Sequence, residues 1–94
     1  MVGAGSAGCV VAARLSQNPH VKVLLLEAGG SESLVSDIPQ TAFMLQGTPI
    51  DWQYETVPQK YACRGLKGHR SKWPRGKALG GSSAINYMMY VRGK

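Results

Sequence analysis

Long apolar stretches are missing from this chain. Its strongest run, Val21-Lys22-Val23-Leu24-Leu25-Leu26, is short and carries a lysine, whereas a helix that spans a bilayer needs roughly 20 apolar residues. No transmembrane segment is read. Cysteine is also scarce: Cys9 and Cys63 are the only two, too few for a disulfide framework. With His20 and His69 they lack the closely paired spacing of zinc ligands, so no metal site is expected. Acidic residues are few and confined to one half. The five of them, Glu27, Glu32, Asp37, Asp51 and Glu55, all precede residue 60, while nine of the eleven Lys and Arg follow from Lys60 onward. A basic tail bearing Tyr61, Trp73, Tyr87 and Tyr90 would suit a nucleic-acid face. A solvated loop, or one facing an acidic neighbour, is the simpler reading, and no nucleic-acid partner is expected.

What remains is globular in character, 44% hydrophobic and 17% charged. Its most informative stretch is Gly3-Ala4-Gly5-Ser6-Ala7-Gly8, followed nineteen residues later by Glu27. In a strand-turn-helix unit the first glycine permits the tight turn and the second lets a pyrophosphate approach the backbone. The third lets helix and strand pack closely. The helix N-terminus then faces the anion, and an acid at the end of the second strand accepts hydrogen bonds from the adenosine ribose. Glu27 holds that position, which disfavours a ribose carrying a 2′-phosphate.

The surroundings agree with that unit. Cys9-Val10-Val11-Ala12-Ala13-Arg14-Leu15 has a helical pattern of apolar and small residues, and Asn18-Pro19 ends the helix. Residues 21–26 read as a strand buried on both faces, as in a parallel sheet. Only Met1 and Val2 precede the turn, so the full strand that should lead into it is expected upstream, as is any leader. The chain is thus expected to be the first part of a larger protein.

Residues 29–60 are rich in turn signals: Gly29-Gly30-Ser31, Asp37-Ile38-Pro39, Gly47-Thr48-Pro49 and Val57-Pro58. Residues 40–46 fit a helix of about two turns. Residues 52–57 alternate as a half-buried strand, with Trp52 and Tyr54 expected to be packing residues. A second small-residue cluster follows in Trp73-Pro74-Arg75-Gly76-Lys77-Ala78-Leu79-Gly80-Gly81-Ser82-Ser83-Ala84-Ile85-Asn86. Ser82 or Ser83 is a natural N-cap for a short helix running to about Met89. Arg75 or Lys77 can offer positive charge to a phosphate or an anionic ring, and Asn86 can pair with a planar heterocycle. A Walker A loop is excluded, because Gly81 is followed by serine rather than lysine.

Taken together, the two motifs resemble the glucose-methanol-choline (GMC) family of FAD-dependent oxidoreductases, in particular its FAD-dependent glucose dehydrogenase branch. The resemblance rests on Gly3-Ala4-Gly5-Ser6-Ala7-Gly8 with Glu27-Ala28-Gly29-Gly30, and on Arg75-Gly76-Lys77-Ala78-Leu79-Gly80-Gly81-Ser82-Ser83-Ala84-Ile85-Asn86. Asp37-Ile38-Pro39, Asp51-Trp52 and Trp73-Pro74 add to it. It implies an α/β fold: part of a Rossmann-like FAD-binding domain, a parallel sheet with helices plus a loop-rich segment, with residues 1–94 as its N-terminal part.

The implied chemistry is oxidation of a CH–OH group of an alcohol or sugar by hydride transfer to flavin N5, then electron transfer to oxygen or a quinone. Gly3, Ala4, Gly5, Ser6, Ala7 and Gly8 would hold the FAD pyrophosphate, with Glu27 and Ala28 at the adenosine ribose. Arg75, Gly76, Gly80, Gly81, Ser82, Asn86, Tyr87, Met88, Met89 and Tyr90 would line the ribityl chain and flavin ring. The family's catalytic histidine and its partner sit near the end of a much longer polypeptide, so this chain alone is expected to be inactive. Some members tether FAD through a histidine just before the motif's asparagine. Ile85 stands there, so noncovalent FAD is expected. The resemblance also admits secretion, with any leader upstream of Met1. The competing readings are an NAD-dependent dehydrogenase, favoured only by the first motif, and a non-catalytic basic nucleic-acid-binding segment.

Overall fold

A computed structural model describes residues 1–93; Lys94, the last residue of the basic tail, lies outside them. The glycine turn leads into helix α1, Ser6–Ser16. Asn18 ends it as its sequence implies: Asn18 Oδ1 accepts the His20 N–H (3.0 Å) and its carbonyl accepts the Val21 N–H (3.0 Å). The next helical segment joins a 3₁₀ turn, Pro39–Thr41, to the single turn α2, Ala42–Leu45. Proline at the start of that turn already has helical φ and needs no N–H there, and the segment matches the helix expected over 40–46.

The expected strand over 21–26 is reduced to one rung. Val2 pairs in parallel with Leu26, held by Gly3 N–H to the Leu26 carbonyl (2.7 Å) and Leu26 N–H to the Met1 carbonyl (3.0 Å). Leu24 and Leu26 remain 69% and 51% exposed. A strand buried on both faces needs a neighbour on each edge and a layer on each face, and among the described residues only 1–3 flank this one.

Parallel pairing elsewhere is also confined to single rungs, Gly5 with Gly80 and Gly30 with Ala78. The only two-stranded sheet among the described residues is antiparallel: β1, Tyr54–Glu55, against β2, Lys72–Trp73. Its register is constant over a longer ribbon, with Asp51 opposite Gly76, Tyr54 opposite Trp73 and Glu55 opposite Lys72. The ladder is interrupted at Gln53, which adopts φ +53°; in this register it faces Pro74, which has no N–H to donate.

The buried core is small and consists of Ala4, Ala12, Ala42, Leu45, Ala78 and Ile85. Ala12 sits on α1, which packs against the 3₁₀ turn Gly81–Ala84, and Ala42 and Leu45 sit on α2, which packs against the Pro39–Thr41 turn. The radius of gyration is 16.3 Å, against about 12 Å for a compact domain of this length. The helix expected from Ser82 to about Met89 is shorter than that: it is only Gly81–Ala84, capped by Gly80 in a left-handed conformation and by no side chain. Asn86 stops its extension, because Asn86 Oδ1 accepts the Met88 N–H (2.7 Å), a local turn that competes with helix.

Candidate functional site

The first motif is built by close backbone contact. A Cβ on Gly8 would overlap the Gly3 carbonyl oxygen, so the third glycine packs the helix on the turn. Gly5 is different. It has an ordinary extended conformation (φ −78°, ψ −173°) as the α1 N-cap, and a Cβ there would meet nothing within 4 Å. The chain's own packing does not require glycine at this position, which faces open space. No side chain caps α1 and no acid lies in its first turn. Its leading amides are therefore available to an external acceptor, on the positive end of the helix.

Glu27 closes the opposite side. Its Oε2 accepts the Ala4 N–H at 2.7 Å and its Oε1 accepts the Gly29 N–H at 2.9 Å. The Gly29 and Ala4 amides hold the carboxyl below its ordinary value, against a smaller opposing effect of desolvation. A carboxylate has about four acceptor positions, so two remain for ribose hydroxyls.

The second motif crosses directly over the first. Gly80 donates its N–H to the Ala4 carbonyl (2.8 Å), and Leu79 donates to the Gly30 carbonyl (2.9 Å). Ser6 Oγ and Ser83 Oγ share a hydrogen bond. A Cβ on Gly81 would stand 2.8 Å from Gly5 Cα. The two glycine clusters, far apart in sequence, therefore form one backbone surface.

Asp51 anchors the base of the ribbon that carries Trp52 and Tyr54. It is the one buried charged side chain among the described residues, 5% exposed. Oδ2 accepts the Gly47 N–H (2.8 Å), while Oδ1 accepts those of Gln53 and Arg75 (both 2.9 Å). Burial acts to raise its pKa, but these three amides together outweigh it and leave the carboxyl below its ordinary value. The side chain thus ties the Gly47 turn to both strands of the ribbon. Nothing in the sequence pattern marked it beyond its place in Asp51-Trp52.

These walls enclose a cleft of about 370 Å³. The first motif contributes Gly3 and Gly5 to it, with Glu27 and Ala28 beside them; the second contributes Arg75, Gly76, Gly81 and Ser82. Val2, Trp52 and Tyr54 complete it. Among the described residues Trp52 and Tyr54 are 39% and 52% exposed and stack on each other with ring centroids 5.8 Å apart. Ala4 lies buried beneath the cleft, Ser6 and Ala7 open α1, and Gly8 and Gly80 fill structural contacts around it.

Asn86 and Tyr87 line a neighbouring cavity of about 230 Å³, which shares Arg75 and Ser82 with the cleft. Met88, Met89 and Tyr90 line neither cavity and are 55%, 84% and 87% exposed. The Arg75 guanidinium turns back to the Pro74 carbonyl (2.8 Å) and lies over the Trp73 ring.

The chain resembles known proteins along nearly its whole length. The family model for GMC oxidoreductase, N-terminal part, matches residues 1–94. Glucose dehydrogenase [FAD, quinone] of Drosophila melanogaster is 52% identical over 93 residues, covering 99% of this chain and 15% of that protein. Oxygen-dependent choline dehydrogenase of Xanthomonas axonopodis pv. citri (strain 306) is 50% identical over 97 residues, covering 99% and 17%. Among solved structures, pyridoxine 4-oxidase from Mesorbium loti superposes with a TM-score of 0.85 at 43% identity, covering 98% of this chain and 18% of that one. A formate oxidase variant from Aspergillus oryzae RIB40, examined for FAD modification, superposes at 0.78 with 41% identity, covering 98% and 16%. The chain spans less than a fifth of each of these enzymes. By a family match along its whole length and by the fold it shares with solved members, the chain belongs to the GMC oxidoreductases.

Proposed function

We propose that this chain is the N-terminal, cofactor-holding part of an FAD-dependent dehydrogenase or oxidase that acts on the CH–OH group of an alcohol or sugar. The observation that carries this reading is the cleft shared by the two glycine motifs, with Glu27 on its rim and an unexplained glycine at position 5. A pyrophosphate approaching Gly5 accounts for the missing side chain there, since packing among the described residues does not. The residues present fit the cofactor.

Bound FAD supplies a two-electron acceptor able to take hydride from an alcohol carbon. The chain's own residues bind and orient. The first amides of α1 neutralise the pyrophosphate, and Glu27 accepts from the adenosine ribose with its free lone pairs while its amide bonds keep it ionised. Arg75, Gly76, Gly81 and Ser82 present backbone and hydroxyl groups to the central part of the dinucleotide, and Asn86 and Tyr87 extend that surface toward the flavin. Ile85 is buried, 4% exposed, and has no nucleophilic atom, so FAD is held noncovalently. No group in the chain is assigned as the catalytic base. The names of the relatives support oxygen or a quinone as the electron acceptor.

The test is spectroscopic. Purified full-length protein should show flavin absorption in the visible, lost when an alcohol or sugar is added without air, and acid precipitation should leave the yellow chromophore in solution. A colourless protein that reduces NAD with its substrate would refute the assignment.

A further inference from the structure

We infer that the tip of the β1–β2 ribbon, residues 56–71, is a peripheral contact site for an anionic lipid surface. This stretch carries Lys60, Arg64, Lys67 and Arg70 together with His69, and neither Asp nor Glu. All four cations are exposed. Lys72, just below them, lies opposite Glu55 in the register, so the excess charge begins beyond that pair. The tip holds its shape by its own backbone. Thr56 and Gln59 donate to the Ser71 and His69 carbonyls (3.0 and 2.9 Å), and Leu66 and His69 donate to the Cys63 and Leu66 carbonyls (2.9 and 3.0 Å). Cys63, Gly68 and His69 adopt left-handed conformations to close it. A surface that is already folded presents its charges without a further cost of ordering.

Two features select lipid among polyanions. Tyr61 and Leu66 stand among the cations and are 78% and 48% exposed, with the Lys60 ammonium 5.1 Å from the Tyr61 ring centroid. A nucleic-acid backbone is served by the cations and gains nothing from the leucine. At a bilayer the tyrosine ring suits headgroup level, the leucine suits the acyl boundary, and the long Lys and Arg side chains reach anionic headgroups. The second feature is the electron acceptor. A quinone, one of the two acceptors proposed above, is apolar and partitions into lipid, so contact with a bilayer brings the enzyme to it. That point rests on the functional reading; the first does not. None of residues 56–71 lines the cleft or the cavity beside it, so the tip is not taken up by cofactor contacts.

The test uses the full-length protein and two kinds of vesicle, phosphatidylcholine alone and phosphatidylcholine mixed with phosphatidylserine. Wild type should sediment with the mixed vesicles and not the neutral ones, and should be released as salt is raised. Arg64→Gln and Lys67→Gln should each weaken that binding roughly fivefold, with the visible flavin absorption unchanged. Leu66→Ser should weaken vesicle binding while binding duplex DNA and poly-glutamate as wild type does. One measurement needs no variant: hydrogen exchange on peptides spanning residues 59–71 should slow with the mixed vesicles only. Wild type that stays in solution with the mixed vesicles, binding that survives both glutamine variants, Leu66→Ser bound to vesicles like wild type, or unchanged exchange at the tip would each overturn the inference. DNA or poly-glutamate held as tightly as the mixed vesicles at equal charge would assign the tip to that partner and overturn it too. Wild type that takes up no FAD would refute the functional reading, while these lipid measurements would still decide the role of the tip.

Discussion

Removing the Asp51 carboxylate should cost about 3 kcal/mol of stability, with a graded response between two substitutions. Three backbone amides end on this side chain, from Gly47, Gln53 and Arg75. In Asp51→Ala all three lose their acceptor in a site that is 5% exposed. A buried donor left unsatisfied costs about 1–3 kcal/mol. The three residues that own the amides are themselves exposed, so water can reach part of the gap and about 1 kcal/mol per amide is the appropriate figure. Asp51→Asn behaves differently. Its oxygen can still serve Gln53 and Arg75, but its NH₂ then faces the Gly47 N–H, donor against donor. One bond is lost and the loss should be about 1–2 kcal/mol.

Gln53 sharpens the expectation. Its left-handed backbone conformation (φ +53°) is held by the Asp51 bond to its N–H and by its own Nε2 on the Thr48 carbonyl (3.1 Å). The assay is urea unfolding of the full-length apoprotein for each variant, with hydrogen exchange followed on peptides that contain Gly47, Gln53 and Arg75. Exchange should accelerate at all three sites in Asp51→Ala and mainly at Gly47 in Asp51→Asn. Equal stability of wild type and Asp51→Ala, within about 0.5 kcal/mol, with unchanged exchange at Arg75, would refute the reasoning.

Further expectations follow from the same contacts. Gly8→Ala should destabilise the apoprotein strongly, because its Cβ overlaps the Gly3 carbonyl oxygen; a melting temperature equal to wild type would contradict this. Glu27→Ala should weaken FAD roughly tenfold or more, as expected for a hydrogen bond to a charged acceptor, measured by flavin titration; unchanged affinity would refute the ribose role. Glu27 and Asp51 are both held below their ordinary values, so the unfolded chain takes up their protons first as pH falls. Their contribution to stability is complete above the ordinary carboxylate range, about pH 4–5, and is lost as pH falls through the lowered folded values. Thermal melts of the apoprotein from neutral pH down to about pH 3 should show this loss, and Asp51→Asn should flatten it; parallel curves for wild type and variant would count against it.

The parts of the site that depend on local backbone geometry were legible in the sequence. Gly3 and Gly8 occupy a turn and a close contact, the roles their spacing implies, whereas the cap expected at Ser82 or Ser83 falls to Gly80 in a left-handed conformation. Asn18-Pro19 likewise ended α1 where expected. The failures came where tertiary neighbours decide. Residues 21–26 read as a doubly buried strand because that is the environment their composition suits, yet among the described residues a partner lies on one edge only, at 1–3. Trp52 and Tyr54 alternate with polar residues and share one face of the ribbon, as that pattern implies; alternation does not report what covers the face. Asp51 was invisible as a hub because its three partners are backbone amides, which carry no residue identity. The helix projected from Ser82 to about Met89 failed because Asn86 diverts the backbone with its own side chain, a competition that helix-start signals do not reveal.

Gly5→Ala in the full-length protein tests the central claim most directly, with apoprotein stability and FAD affinity measured side by side. The added methyl meets nothing within 4 Å among the described residues, so stability should fall by less than about 1 kcal/mol, the scale of an N-cap change, while FAD affinity drops about tenfold or more because the pyrophosphate needs that space. FAD bound as tightly by Gly5→Ala as by wild type would contradict the account.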